Sequence, residues 1–133
     1  MNKPVLTYPL TDAQTVFDYV WCHFIIEKNP AGLDGHNKVS YNSPTCGCSI
    51  GCLLPENVRR VMGIENYSIT MGIMYNFNNL QSIFCTKKLD GNFLRLLQDL
   101  QTAHDVSVGD AFHLKFKAAM MELAIKYSLK THD

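Results

Sequence analysis

The sequence predicts a mainly α fold, a compact small helical domain with a long Gly/Cys-containing loop or short β-hairpin between its first and second helices. Three observations carry this expectation. Apolar residues recur at helical spacing in three separate stretches, and residues that start and stop helices bracket them. Between Ala31 and Leu54 the periodicity disappears among Gly32, Gly35, Gly47, Gly51 and a cluster of thiols.

The first helix is expected over 11–29. Thr11 and Gln14 can form a reciprocal cap, and Val16, Phe17, Val20, Trp21, Phe24 and Ile25 make one apolar stripe. Asn29-Pro30 should end it, because the residue before proline avoids the helical region. The long segment that follows carries Pro44 among small polar residues, and a connection of that length is usually functional. A short helix then runs from about Pro55 to Met62, with Glu56 at the positive end of its dipole and Gly63 as a left-handed cap.

Ile64 to Tyr75 alternates like a strand but also fits a helix interrupted by Gly72, and the helix is preferred. Asn76, Asn78 and Asn79 make one turn-prone patch and Leu89-Asp90-Gly91 another. Phe93, Leu96, Leu97, Leu100 and Ala103 mark a helix over about 91–104. A last helix over 110–128 carries Phe112, Phe116, Ala119, Met120, Leu123 and Tyr127 on one face. The core expected from these stripes is Phe17, Trp21, Phe24, Leu97, Leu100, Phe116 and Leu123. Residues 1–133 read as a single domain, without repeat or linker.

Composition excludes several classes of function. Basic and acidic residues number 12 each, so no net field draws nucleic acid or an acidic membrane surface, and nucleic acid is disfavoured as a partner. No stretch approaches a membrane span and the N-terminus lacks a secretory h-region, which points to a cytoplasmic protein. Five cysteines, an odd number in that setting, read as thiols of a reducing compartment. There is no phosphate loop, no His-Glu-x-x-His and no nucleophile elbow, and no cofactor is expected.

The densest chemistry is Cys46-Gly47-Cys48-Ser49-Ile50-Gly51-Cys52, with His36 ten residues earlier. Three thiolates and an imidazole could complete a zinc site, but a structural zinc site usually pairs two separated couples, and here there is one cluster. Cys52 precedes a helix start, where a dipole lowers a thiol pKa, yet no histidine is singled out as its base. His104-Asp105 invites comparison with metal phosphohydrolases, using His23 and Asp110 as further ligands. The plainer reading sets His104 at a helix C-terminus with Asp105 opening a turn. Buried thiols and core aromatics are preferred to a metal or catalytic site throughout.

Tyr41-Asn42-Ser43-Pro44, then Cys48-Ser49-Ile50-Gly51-Cys52-Leu53-Leu54-Pro55-Glu56, and later Leu96-Leu97-Gln98-Asp99-Leu100-Gln101-Thr102-Ala103-His104-Asp105, together resemble a pattern in small uncharacterised bacterial and phage proteins. In that pattern a Tyr-Arg-Gly turn precedes a Cys-Ala-Val/Ile-Gly-Cys/Ala-Leu-Ile-Pro-Asp/Glu stretch, and a Leu-Gln-x-x-His-Asp run follows. Here Asn42 replaces the arginine and Cys46 adds a thiol. The resemblance spans about Thr11 to Leu129 and implies a compact helical phage or prophage accessory protein, with no catalytic residue. The expected function is therefore binding of a host or phage protein through the loop, with Tyr41, His36, Cys48 and Cys52 on or near the contact surface and self-association left open. The competing expectation is an enzyme or zinc-binding module built on Cys46, Cys48 and Cys52.

Overall fold

Asp12 starts the first helix, one residue later than the expected Thr11 cap. Its carboxylate accepts from the Thr15 backbone N–H at 3.1 Å and from the Thr15 hydroxyl at 2.6 Å. Gln14 instead reaches Asp18 and the backbone of Lys130, tying the helix to the C-terminal segment. The computed structural model describes residues 2–42, 47–65, 68–84 and 91–132, with the backbone alone at 63–65.

α1 covers Ala13–Trp21 and passes into a π-helical turn, Cys22–Ile26, which closes with Glu27 N–H on Cys22 C=O. The helical path thus ends before the expected Asn29. Lys28 takes a left-handed φ of 59°, and Asn29 closes the helix end by donating to the His23 carbonyl from its backbone N–H at 3.3 Å and its side-chain amide at 2.8 Å. A short 3-10 turn, Gly51–Leu53, leads to α2, Glu56–Glu65. Gly63 does not cap α2, because the helix continues through it.

The ambiguous segment resolves as helix α3, Ile69–Met74, capped by the Ser68 hydroxyl on Met71 N–H. A 3-10 turn, Phe77–Asn79, and the single-turn α4, Leu80–Ile83, follow. α5, Gly91–Ser107, runs a turn longer than its sequence signals, so His104 sits inside it and Asp105 does not open a turn. α6, Phe112–Lys126, begins later than Asp110 because Ala111 adopts a left-handed φ of 57°. Cys85 and most of the Leu89-Asp90-Gly91 turn lie outside the described residues; Gly91 itself opens α5.

α5 packs against α6, and the π-turn fits beside α6. Phe24 is the hub: its ring meets Phe112 at 5.7 Å, Phe116 at 5.1 Å and His104 at 5.5 Å between centroids. Phe17, Trp21, Phe24, Leu97, Leu100 and Phe116 are buried as expected, whereas Leu123 is only half-buried against the core. The His113 ring N–H donates to the Asn29 carbonyl at 2.8 Å and pins the start of α6 to the end of the first helix. Asp99 receives Lys126 Nζ at 2.8 Å and the Tyr127 hydroxyl at 2.6 Å, joining α5 to the end of α6. Among the described residues no helix is long and apolar enough to cross a membrane.

Two outcomes follow from this packing. Phe116→Ala should cost about 3–5 kcal/mol in a denaturant melt, and Leu123→Ala clearly less, since it creates little new cavity. The second concerns Asp99, whose partial burial pushes its carboxyl pKa up while hydrogen bonds from Lys126 and Tyr127 outweigh that and hold it below the usual range. A depressed carboxyl stabilises the fold above the unfolded value of about 3.9 and loses that contribution as pH falls through the folded value. Asp99→Asn should therefore lower stability near neutral pH, and the difference from wild type should shrink in melts taken under acid conditions.

Candidate functional site

α5 presents Gln101, His104 and Asp105 at i, i+3 and i+4, so the three side chains share one face. His104 is fully buried, and its Nε2 accepts the Gly32 backbone N–H at 2.9 Å. That bond leaves the ring proton on Nδ1, where it donates to Asp105 Oδ1 at 3.1 Å. Gln101 donates from Nε2 to the same Oδ1 at 2.7 Å and accepts the Ile50 backbone N–H on Oε1 at 3.3 Å. A helix thus supplies acceptors to two buried amides of the loop, one at each end.

Between these two anchors the loop is packed backbone to backbone. A side chain on Gly32 would collide with the Gly47 carbonyl carbon and Cys48 N, and one on Gly51 with the Tyr41 carbonyl oxygen. Glycine is required there by close approach. Gly47 meets the same Tyr41 carbonyl and has a φ of +91°. An isolated antiparallel bridge pairs Leu33 with Val39 around the Asp34 carboxylate, which accepts from the His36 and Lys38 backbone N–H groups. These two donors hold the Asp34 carboxyl below its usual range.

The residues singled out in the loop separate in space. His36 is exposed at the tip, and Tyr41 is buried beneath it. Cys48 is fully buried and, with Tyr41, lines a cleft of about 290 Å³ shared with Ile69 of α3 and Gln98, Gln101 and Asp105 of α5. Cys52 lies on the other side, in a second cleft of about 510 Å³ beside Lys3, Tyr8, His23 and Arg59. Its Sγ donates to the Ser49 carbonyl at 3.1 Å. Cys46 lies outside the described residues.

The chemistry open to Cys48 follows from its surroundings. Burial, with the Asp105 charge adding to it, pushes the thiol up to about 12, so at neutral pH it is protonated and a poor nucleophile or metal ligand. Both nitrogens of His104 are already engaged, so its ring is not free to serve Cys48 as a base. Among the described residues, no three His, Cys, Asp or Glu side chains gather in a group that could hold a metal ion. What the described residues offer is an acceptor-rich cleft with one carboxylate. No family model, curated protein or solved structure matches the chain.

A second feature escaped the sequence reading. Met71, Met74, Tyr75 and Phe77 stand exposed on and after α3, and the Tyr75 and Phe77 rings stack with centroids 5.8 Å apart. The signal for it was present, since apolar residues on both faces of a six-residue helix exceed what one core contact can cover. The signal for the loop brace was the Gln-x-x-His-Asp spacing itself.

If α5 holds the loop as described, His104→Ala should cost roughly 2–4 kcal/mol, since it orphans the buried Gly32 amide and leaves a void among the rings. Gly32→Ala should cost more than about 2 kcal/mol, because the atoms in its way are backbone. Thermal melts of the two single variants measure both.

Proposed function

We propose that this chain is a small accessory protein that works by binding a protein partner, with the exposed surface of Met71, Met74, Tyr75 and Phe77 as the contact. The single observation behind this reading is that patch: Met74 is 54% exposed and Tyr75 63% exposed, next to one another and to two further apolar side chains. Contiguous apolar surface of this kind marks association sites, methionine adapts to irregular partners, and aromatics carry much of the binding energy at interfaces.

The patch is also held in place. Asn76, Asn78 and Asn79 take left-handed φ values of 52°, 51° and 59°, conformations that asparagine tolerates better than other side-chain-bearing residues. Gln81 braces the turn, its backbone N–H donating to the Asn76 side chain at 3.1 Å and its amide to the Ile73 carbonyl at 3.0 Å. A stacked aromatic pair on a braced turn loses little conformational entropy on binding. Backbone strain of this kind collects at functional surfaces.

In keeping with the phage-type resemblance, the partner in this reading is a phage or host protein met in the cytoplasm. The loop's part is support, because Tyr41, Cys48 and Cys52 are buried and, of the four loop residues expected at the contact, His36 is the exposed one. The raised Cys48 thiol weighs against cysteine catalysis as the alternative.

A photo-crosslinking residue placed at Met74 in cells of the natural host should give one discrete adduct, and the same residue at Lys130 on the C-terminal segment should not. Tyr75→Ser should weaken that adduct without lowering the melting temperature appreciably, since the ring is mostly in solvent. Equal labelling at the two positions, or none at Met74, would remove the patch as a contact surface. An adduct of twice the chain mass would make the partner a second copy.

A further inference from the structure

The cleft between the loop and α5 has a chemical bias that the patch does not explain. Asp105 is the sole formally charged side chain among its described lining residues. Among the described residues the hydrogen bonds to that carboxylate come from Gln101 and His104 and both use Oδ1, which leaves Oδ2 toward an incoming donor, and the side chain is 43% exposed. Gln98 Oε1 takes one bond from the Thr70 hydroxyl, and a carbonyl oxygen has two lone pairs. Ser40 adds a hydroxyl, while Val39, Tyr41 and Ile69 supply apolar wall.

Among the described residues the rim carries acceptors, one carboxylate and no cation, which disfavours anions and complements a ligand that carries donors and positive charge. We propose that this cleft is a binding site for a guanidinium group, an arginine side chain of a bound protein, seated with one N–H on Asp105 Oδ2 and its methylene stem along Val39, Tyr41 and Ile69. Guanidinium is favoured over ammonium because its planar fork matches a carboxylate flanked by amide oxygens, and because it is the more weakly hydrated cation and stacks on aromatic faces. The volume of about 290 Å³ lies at the small end of ligand pockets, which suits a single side chain. The network behind the carboxylate sets its position in advance: His104 and Gln101 hold Oδ1 while their other ends hold the loop that forms the opposite wall. Ser68 and Ile69 line the cleft at the start of α3, and Met71, Met74 and Tyr75 lie along and just beyond the same helix, so one partner segment could reach both features. The site goes beyond the patch reading and does not require it.

The test uses the whole protein and single-residue probes. In a nitrogen-15 NMR titration, acetyl-arginine-methylamide should shift the side-chain amides of Gln98 and Gln101 saturably at millimolar concentration. Acetyl-citrulline-methylamide, its uncharged near-isostere, should not, and the lysine analogue should bind more weakly. Asp105→Asn keeps an acceptor for His104 and Gln101 while removing the charge, and should weaken arginine binding about tenfold or more. Gln98→Lys provides the second variant: Gln98 is half-exposed, lysine suits a helix, and a cation at the rim should abolish binding with the fold intact by spectrum. Equal shifts from citrulline and arginine, shifts that map to Met74 and Tyr75 instead of the cleft, or undiminished binding in both variants would each overturn the assignment. Failure here with a retained Met74 adduct would remove the guanidinium site alone and leave the patch standing.

Discussion

A backbone amide taken out of water must find an acceptor, and the loop between the first two helices takes several of its amides out of water without forming a sheet. Two of them, Gly32 N–H and Ile50 N–H, are answered from outside the loop by His104 and Gln101 of α5. Asp105 answers both of those side chains in turn and so fixes which ring nitrogen of His104 is bare. The order of the loop rests on this arrangement. With its ends held, Gly32, Gly47 and Gly51 can bring backbone against backbone, and Cys48, Ile50 and Leu53 can be driven into the core as an apolar plug.

The same arrangement determines what Cys48 can do. A thiol sealed under α5 with a carboxylate nearby stays protonated, whereas reactive cysteines sit in electropositive and partly open surroundings. Cys48, at the middle of the motif that looks most chemical in the sequence, is therefore a packing residue. Burial of the loop also divides its candidate residues: Tyr41 and Cys48 face one cleft, Cys52 another, and His36 projects from the tip.

The side of the molecule near α3 follows a different logic. Helix α3 is short, and its Ile69 and Ile73 are used inward, which leaves Met71 and Met74 outward and about half exposed. The asparagine turn that follows holds three left-handed residues in four positions, and it turns the chain quickly enough to bury Leu80 and Ile83 while Tyr75 and Phe77 stay outside. Local strain and exposed apolar surface thus coincide, each of them a cost that a free-standing fold has no need to carry.

Much of the fold was legible in the sequence. The stripe from Val16 to Ile25, the Leu96-Leu97-Leu100 run and the Phe112-Phe116-Met120 run each specify a buried helix face, because helical period is a local property. Their ends were less legible, since Asp12 in place of Thr11, the π-turn after Trp21 and the left-handed Ala111 are choices among nearly equal local alternatives that packing decides. The site was legible only as two motifs, one of cysteines and one ending in His-Asp, separated by about fifty residues of chain. That His104 would spend both nitrogens on structure, that Cys48 would be sealed and that Asp105 would stand at the rim of a cleft depend on contacts across 51 and 72 positions in sequence. The sequence by itself determined the long helical segments and which residues can bear chemistry. The tertiary structure decided which of those residues remain available, because hydrogen-bonding capacity used to satisfy one buried amide is no longer free for a ligand.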